Sequence, residues 1–155
     1  MTKTEKQKEK NEFMKLAIDH IMQRIGTARH AMENAQAAAN EEDKSSVGDK
    51  YETSRAMGQI DSEMNARQLE EARRELALLQ QIDIKPVADS ISDGAVIVTE
   101  NQTFFISTGI GILQYKKKPV VFISLSSPLG KAFANHCAGE SITFNAKEYR
   151  IKEVY

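Results

Sequence analysis

The 155-residue sequence predicts an α+β protein: an N-terminal antiparallel α-helical coiled-coil hairpin, then a small antiparallel β domain with one short helix. Three observations predict it. Composition shifts near Lys85-Pro86: the three prolines (Pro86, Pro119, Pro128) and eight of the ten aromatic residues lie at or beyond that point. Val and Ile number 7 in residues 1–85 and 14 in the shorter remainder, so the first part favours helix and the second a pleated surface. Finally, Met14, Ile18, Ile21, Ile25, Ala28, Met32, Ala35 and Ala39 follow steps of 4, 3, 4, 3, 4, 3, 4, an a/d seam too narrow to bury itself without a partner helix. The predicted division is 1–85 for the hairpin and 86–155 for the β domain.

Taken in order, residues 2–10 alternate Lys and Glu and are expected to fray as a solvated start. Helix 1 follows its seam, and Gly26 within it is expected to mark a bend or a close helix approach. Residues 40–50 are polar around a single large apolar residue, Val47, and read as a turn. Helix 2 has Met57, Ile60 and Met64, then Leu69, Ala72, Leu76 and Leu79; the step of five between Met64 and Leu69 predicts a register skip. Helices joined by a short turn lie antiparallel, with the tip at about 41–52. So narrow a seam could also join subunits, but the matched helix lengths favour pairing within one chain. Ala95–Thr99 and Thr103–Ser107 flank Glu100-Asn101-Gln102 as a hairpin. Val120–Leu125 fits a central strand. Ser127 before Pro128 reads as the cap of a short helix, Leu129–Ala134. Ile142–Phe144 and Tyr149–Val154 form a last hairpin around Asn145-Ala146. The β domain is small enough to need packing against the base of the helical hairpin.

The charge balance, 21 basic against 22 acidic residues, argues against a protein held to nucleic acid by phosphate contacts. A single cysteine, Cys137, cannot form an internal disulfide. No apolar run approaches the roughly 20 residues of a membrane span, and the first ten residues lack the apolar stretch of a signal peptide. The expectation is a soluble, cytoplasmic protein.

No motif announces catalysis. His136 and Cys137 are adjacent, so on a regular element their side chains diverge. His20 and His30 are ten apart on one helix and form no i, i+4 metal pair. Gly109-Ile110-Gly111 reads as a turn or bulge, and Lys116-Lys117-Lys118 as a solvated hairpin turn. An enzyme with its own active site, intrinsic metal or cofactor is therefore not expected. The tip is more informative. Residues 41–52 carry Glu41, Glu42, Asp43, Asp49 and Glu52 against Lys44 and Lys50. Clustered carboxylates are hard oxygen ligands for Mg²⁺, and one or two suffice when a partner site supplies the rest.

The stretch Ile123-Ser124-Leu125-Ser126-Ser127-Pro128-Leu129-Gly130-Lys131-Ala132, followed by Gly139-Glu140-Ser141-Ile142 and Glu148-Tyr149-Arg150-Ile151-Lys152-Glu153-Val154, resembles the signatures of the Gre family (GreA/GreB) of bacterial transcript cleavage and elongation factors, in order and spacing. Gly48 to Arg55 gives a weaker match, with Tyr51 at the family's tip tyrosine and Ser46 at a tip serine. The resemblance implies an FKBP-like C-terminal domain that docks on RNA polymerase, with Ser127, Pro128 and Leu129 in the docking region. It also implies a coiled coil that enters the secondary channel, where tip acids help hold the catalytic Mg²⁺ of the polymerase. The family's two tip acids align with Lys44 and Val47, which leaves Glu41, Glu42, Asp43 and Asp49 as the candidate acids here. The expected factor is a monomer that binds RNA polymerase, has no stable direct contact with nucleic acid and none with membrane. It modulates elongation or stimulates cleavage of backtracked RNA. The alternative is a structural coiled-coil adaptor or oligomerisation protein.

Overall fold

A computed structural model describes residues 1–42 and 48–155, with side chains at all of these except 39, 42 and 48–51. The protein is α+β. Two long helices, α1 (Lys3–Glu42) and α2 (Gly48–Gln81), precede strands β1 (Val96–Thr99), β2 (Thr103–Ile106), β3 (Gly111–Tyr115) and β4 (Lys118–Ile123). A short helix α3 (Pro128–Phe133) and strands β5 (Ser141–Phe144) and β6 (Lys147–Val154) complete it. Contacts group the chain into two compact units, one of Met1–Ile18 with Ala77–Tyr155, the other Asp19–Leu76.

In the unit Asp19–Leu76, α1 and α2 run antiparallel. Arg24 Nη1 meets Glu75 Oε2 at 2.5 Å, and a groove is lined by Thr27 and Ala28 from α1 and Gln68 and Glu71 from α2. The α1 seam is buried at Ile21, Ile25 and Ala28 and half-buried at Met32 and Ala35, as its spacing predicts. The α2 seam differs from expectation. Met57, Ile60 and Met64 are 56%, 51% and 53% exposed. The positions turned inward are Gly58, Ser62 and Asn65, half-buried, then Leu69 and Ala72, buried. These keep steps of 4, 3, 4, 3, so the heptad is unbroken and no register skip occurs. Small and polar residues complete the seam, where an apolar count finds nothing. Gly26 is exposed, and a Cβ there would meet nothing within 4 Å, so it marks no close helix approach.

In the other unit, the start of α1 is ordered rather than frayed. Thr2 N donates to Glu5 Oε2 at 2.7 Å, and Glu5 N donates to Thr2 Oγ1 at 3.2 Å, a reciprocal capping box. Lys10 is 1% exposed, with Nζ donating to Pro86 O at 2.9 Å. Burial pulls its pKa down, and Asp83 opposes that shift.

The six strands form one sheet in the order β3-β4-β2-β1-β6-β5. Pairing is antiparallel except between β2 and β4, which run parallel. The β1–β2 hairpin, the Ser127 cap and the Asn145-Ala146 turn stand where the sequence places them. Strand β3 was not expected: it starts at Gly111, in the segment read as a turn.

Alternation along β2 sends adjacent phenylalanines to opposite faces of the sheet. Phe104 packs with Phe133 of α3 and Tyr149 at centroid distances of 5.2 and 5.9 Å, among Ile91, Ile97, Ile106, Ile142 and Ile151. Phe105 packs with Phe122 and with Phe13 of α1, whose ring also meets Tyr115 edge-on at 4.9 Å. Phe13, Met14 and Ala17 are buried. Tyr115 and Tyr155 donate their hydroxyls to Glu12 and Glu9, further tying α1 to the sheet.

Candidate functional site

The candidate docking residues sit at the turn from β4 into α3. Strand β4 ends at Ile123 and the chain must reverse into a helix of six residues, Pro128–Phe133. Serines build the reversal. Ser127 N donates to Ser124 Oγ at 3.1 Å, and Ser127 Oγ donates to Ser124 O at 2.7 Å. Ser127 Oγ also accepts from Gly130 N at 3.1 Å, satisfying one of the free donors at the helix start. Ser124 and Ser126 hydroxyls lie 3.2 Å apart. Pro128 follows at the first helical position, where its missing N–H costs nothing.

The three candidates therefore hold three positions. Ser127 is half-buried and its hydroxyl is committed to the turn. Leu129 is half-buried and packs against the sheet core. Pro128 alone is exposed, flanked by exposed Ser126 and Lys131. A partner would thus meet Ser126, Pro128 and Lys131, while Ser127 and Leu129 hold that surface in place. Neither Ser126 nor Lys131 stands out in the sequence: Ser126 lies before the helix, and the six residues of α3 are too few to reveal which face Lys131 takes. Gly130 was also missed as a constraint. A Cβ on it would stand 2.0 Å from Ser124 O and 2.9 Å from Leu125 Cα, so only glycine lets the helix start lie on the turn.

Of the candidate tip acids, Glu41 has a described side chain. It is exposed in the last turn of α1, which contains no basic residue. A carboxylate there opposes the helix dipole, typically by about 0.3–1 kcal/mol. Glu42, Asp43, Ser46, Asp49 and Tyr51 lie outside the residues whose side chains the structure describes, as do the aligned Lys44 and Val47.

Beyond α3, His136 Nδ1 and Glu140 Oε2 are 2.7 Å apart, and Cys137 N donates to the same carboxylate oxygen at 3.1 Å. The Cys137 amide and the His136 ring hold the Glu140 carboxyl below its ordinary value. This carboxylate clips the turn after α3, where Asn135 has φ of 67°. Among the described residues no hydrogen bond joins Cys137 Sγ to a base, and no group of three or more His, Cys, Asp or Glu could hold a metal. No described helix is long and apolar enough to cross a membrane. No protein-family model matches the chain, and comparison with curated proteins finds no match either.

Proposed function

We propose that this chain is a Gre-like, cytoplasmic transcription elongation factor. It binds RNA polymerase through its C-terminal part and presents the hairpin tip to the secondary channel, modulating elongation or stimulating cleavage of backtracked RNA. The observation that carries this reading is the Ser126–Gly130 signature. Its serines, proline and glycine build a rigid capped turn that leaves Pro128 exposed between Ser126 and Lys131. An acid-bearing connection between two antiparallel helices, with Glu41 exposed against the helix dipole, supports the role given to the tip. The factor brings no metal of its own on this reading. A tip carboxylate adds one hard oxygen ligand to a Mg²⁺ that the polymerase holds with others.

The test is retention of the chain on immobilised core RNA polymerase at low salt, then RNA cleavage in stalled complexes. Binding is expected, weakened about tenfold or more by Pro128→Asp, because anchors at an interface centre carry most of its energy. Glu41→Gln should leave binding intact and change only the response of stalled complexes. Absence of binding at low salt overturns the proposal.

A second reading rests on the exposed stripe Met57, Ile60 and Met64, at steps of three and four on one face of α2. Such a stripe suits a coiled-coil adaptor or oligomerisation protein. Sedimentation across the micromolar range separates the two: the elongation factor stays monomeric, whereas the adaptor associates.

A further inference from the structure

Strand β3 closes one end of the sheet and pairs with β4 alone. It joins β4 through a two-residue turn, Lys116-Lys117, with φ of 49° and 65°. Two successive left-handed residues make a type I′ turn, for which Asn-Gly is the usual choice. Two lysines occupy it here against a steric penalty.

The register fixes which groups β3 offers. Residues flanking a two-residue hairpin turn form a hydrogen-bonded pair, here Tyr115 and Lys118, and the pairs then alternate. Gln114↔Pro119 and Ile112↔Val121 are thus the non-bonded pairs, and a proline without an N–H fits its place in the first. The N–H and C=O groups of Ile112 and Gln114 consequently point away from β4, towards the open edge. The Ile112 side chain is 63% exposed and that of Gln114 is exposed.

Edges that repel strand addition carry charge within the strand. Strand β3, Gly-Ile-Leu-Gln-Tyr, has none. Its charge stands at one end, in the exposed Lys116, Lys117 and Lys118. The acids facing this end from α1 are Glu9 and Glu12, and both already accept tyrosine hydroxyls. Lys116 lies over the Tyr115 ring at 5.0 Å. Among the described residues, Lys117 and Lys118 form no salt bridge.

We propose that the β3 edge docks an extended acidic segment of a partner protein as an added strand. Its main chain pairs with Ile112 and Gln114, an apolar side chain covers Ile112, and its carboxylates meet Lys117 and Lys118. Main-chain pairing supplies affinity, and the lysines select sign and register. This site is separate from the α3 turn and does not depend on the polymerase reading.

The test uses the full chain and a fluorescein-labelled peptide of alternating Glu and Val. Saturable binding is expected, with new hydrogen-exchange protection at the Ile112 and Gln114 amides. The double change Lys117→Glu and Lys118→Glu should weaken it about tenfold or more. Gln114→Pro should abolish it, since an outward N–H can be lost without breaking the β3–β4 ladder. Lys116→Asn with Lys117→Gly supplies the check on folding: it relieves the turn, should melt higher than the parent, and should still bind the peptide more weakly. Absence of saturable binding, or binding without protection at those two amides, overturns the proposal. So does undiminished binding by the stabilised Asn-Gly variant, or equal affinity for an RNA oligonucleotide of the same charge.

Discussion

Gly130 shows how one residue fixes the turn from β4 into α3. Its missing side chain is what lets α3 begin against the Ser124 carbonyl. Gly130→Ala should cost about 3 kcal/mol, at the upper end of overpacking penalties, because the clash is with backbone that cannot rotate away; chemical denaturation measures it. Glu140 gives a prediction with a pH signature. The Cys137 amide and His136 ring lower its folded pKa from 4.5. A depressed carboxyl contributes stability above its unfolded pKa and loses that contribution as pH falls through the folded value. The melting advantage of the parent over Glu140→Gln should therefore be present above pH 4.5 and be lost on acidification below it. Thermal melts across that range check it. Neither residue stood out in the sequence beyond its motif. Ser127 and Pro128 did, because capping chemistry is local: a serine before a proline carries its own geometry. The constraint on Gly130 comes from a chain reversal that only the assembled turn reveals.

At the level of elements, the same substitution on two helices separates burial from hydrophobicity. Ile21 is fully buried, whereas Met64 is 53% exposed. Ile21→Asp should cost several kcal/mol, through a charge left without water or partner. Met64→Asp should cost less than about 1 kcal/mol. Melting curves of the two variants decide it, and equal losses would contradict the α2 register described above. The α1 seam was legible because each of its positions is apolar and evenly stepped. In the half of α2 before Leu69, the inward positions are Gly58, Ser62 and Asn65, while the apolar side chains face solvent. Strand β3 was hidden for another reason. It is short and begins at Gly111, with φ of 100°, so its first residue signals a turn. The parallel β2–β4 pair was equally hidden, since β3 lies between them in sequence but at the edge in space.

Taken whole, the molecule joins distant parts of its sequence. Phe13 belongs with Phe105, Phe122 and Tyr115, although the compositional boundary lies at Pro86. Removing that ring should be among the costliest single truncations in the chain. Phe13→Ala is expected to lose about 3–5 kcal/mol, seen as a lower denaturant midpoint. The shift in composition identified which residues form helix and which form sheet, but not which helical turns the sheet would claim. A period is a property of one segment, whereas Phe13 is held by rings more than ninety positions away.

That arrangement has a consequence for how the chain assembles. The unit containing the sheet is discontinuous, interrupted by Asp19–Leu76. Left as random coil, roughly 60 intervening residues would impose a closure entropy of about 3–4 kcal/mol on bringing Ile18 near Ala77. Because α1 and α2 fold back on each other within the insert, its two ends emerge side by side. Zipping the helices early thus shortens the tether, and a chain slow to zip them should also be slow to seat Phe13 beneath its strands.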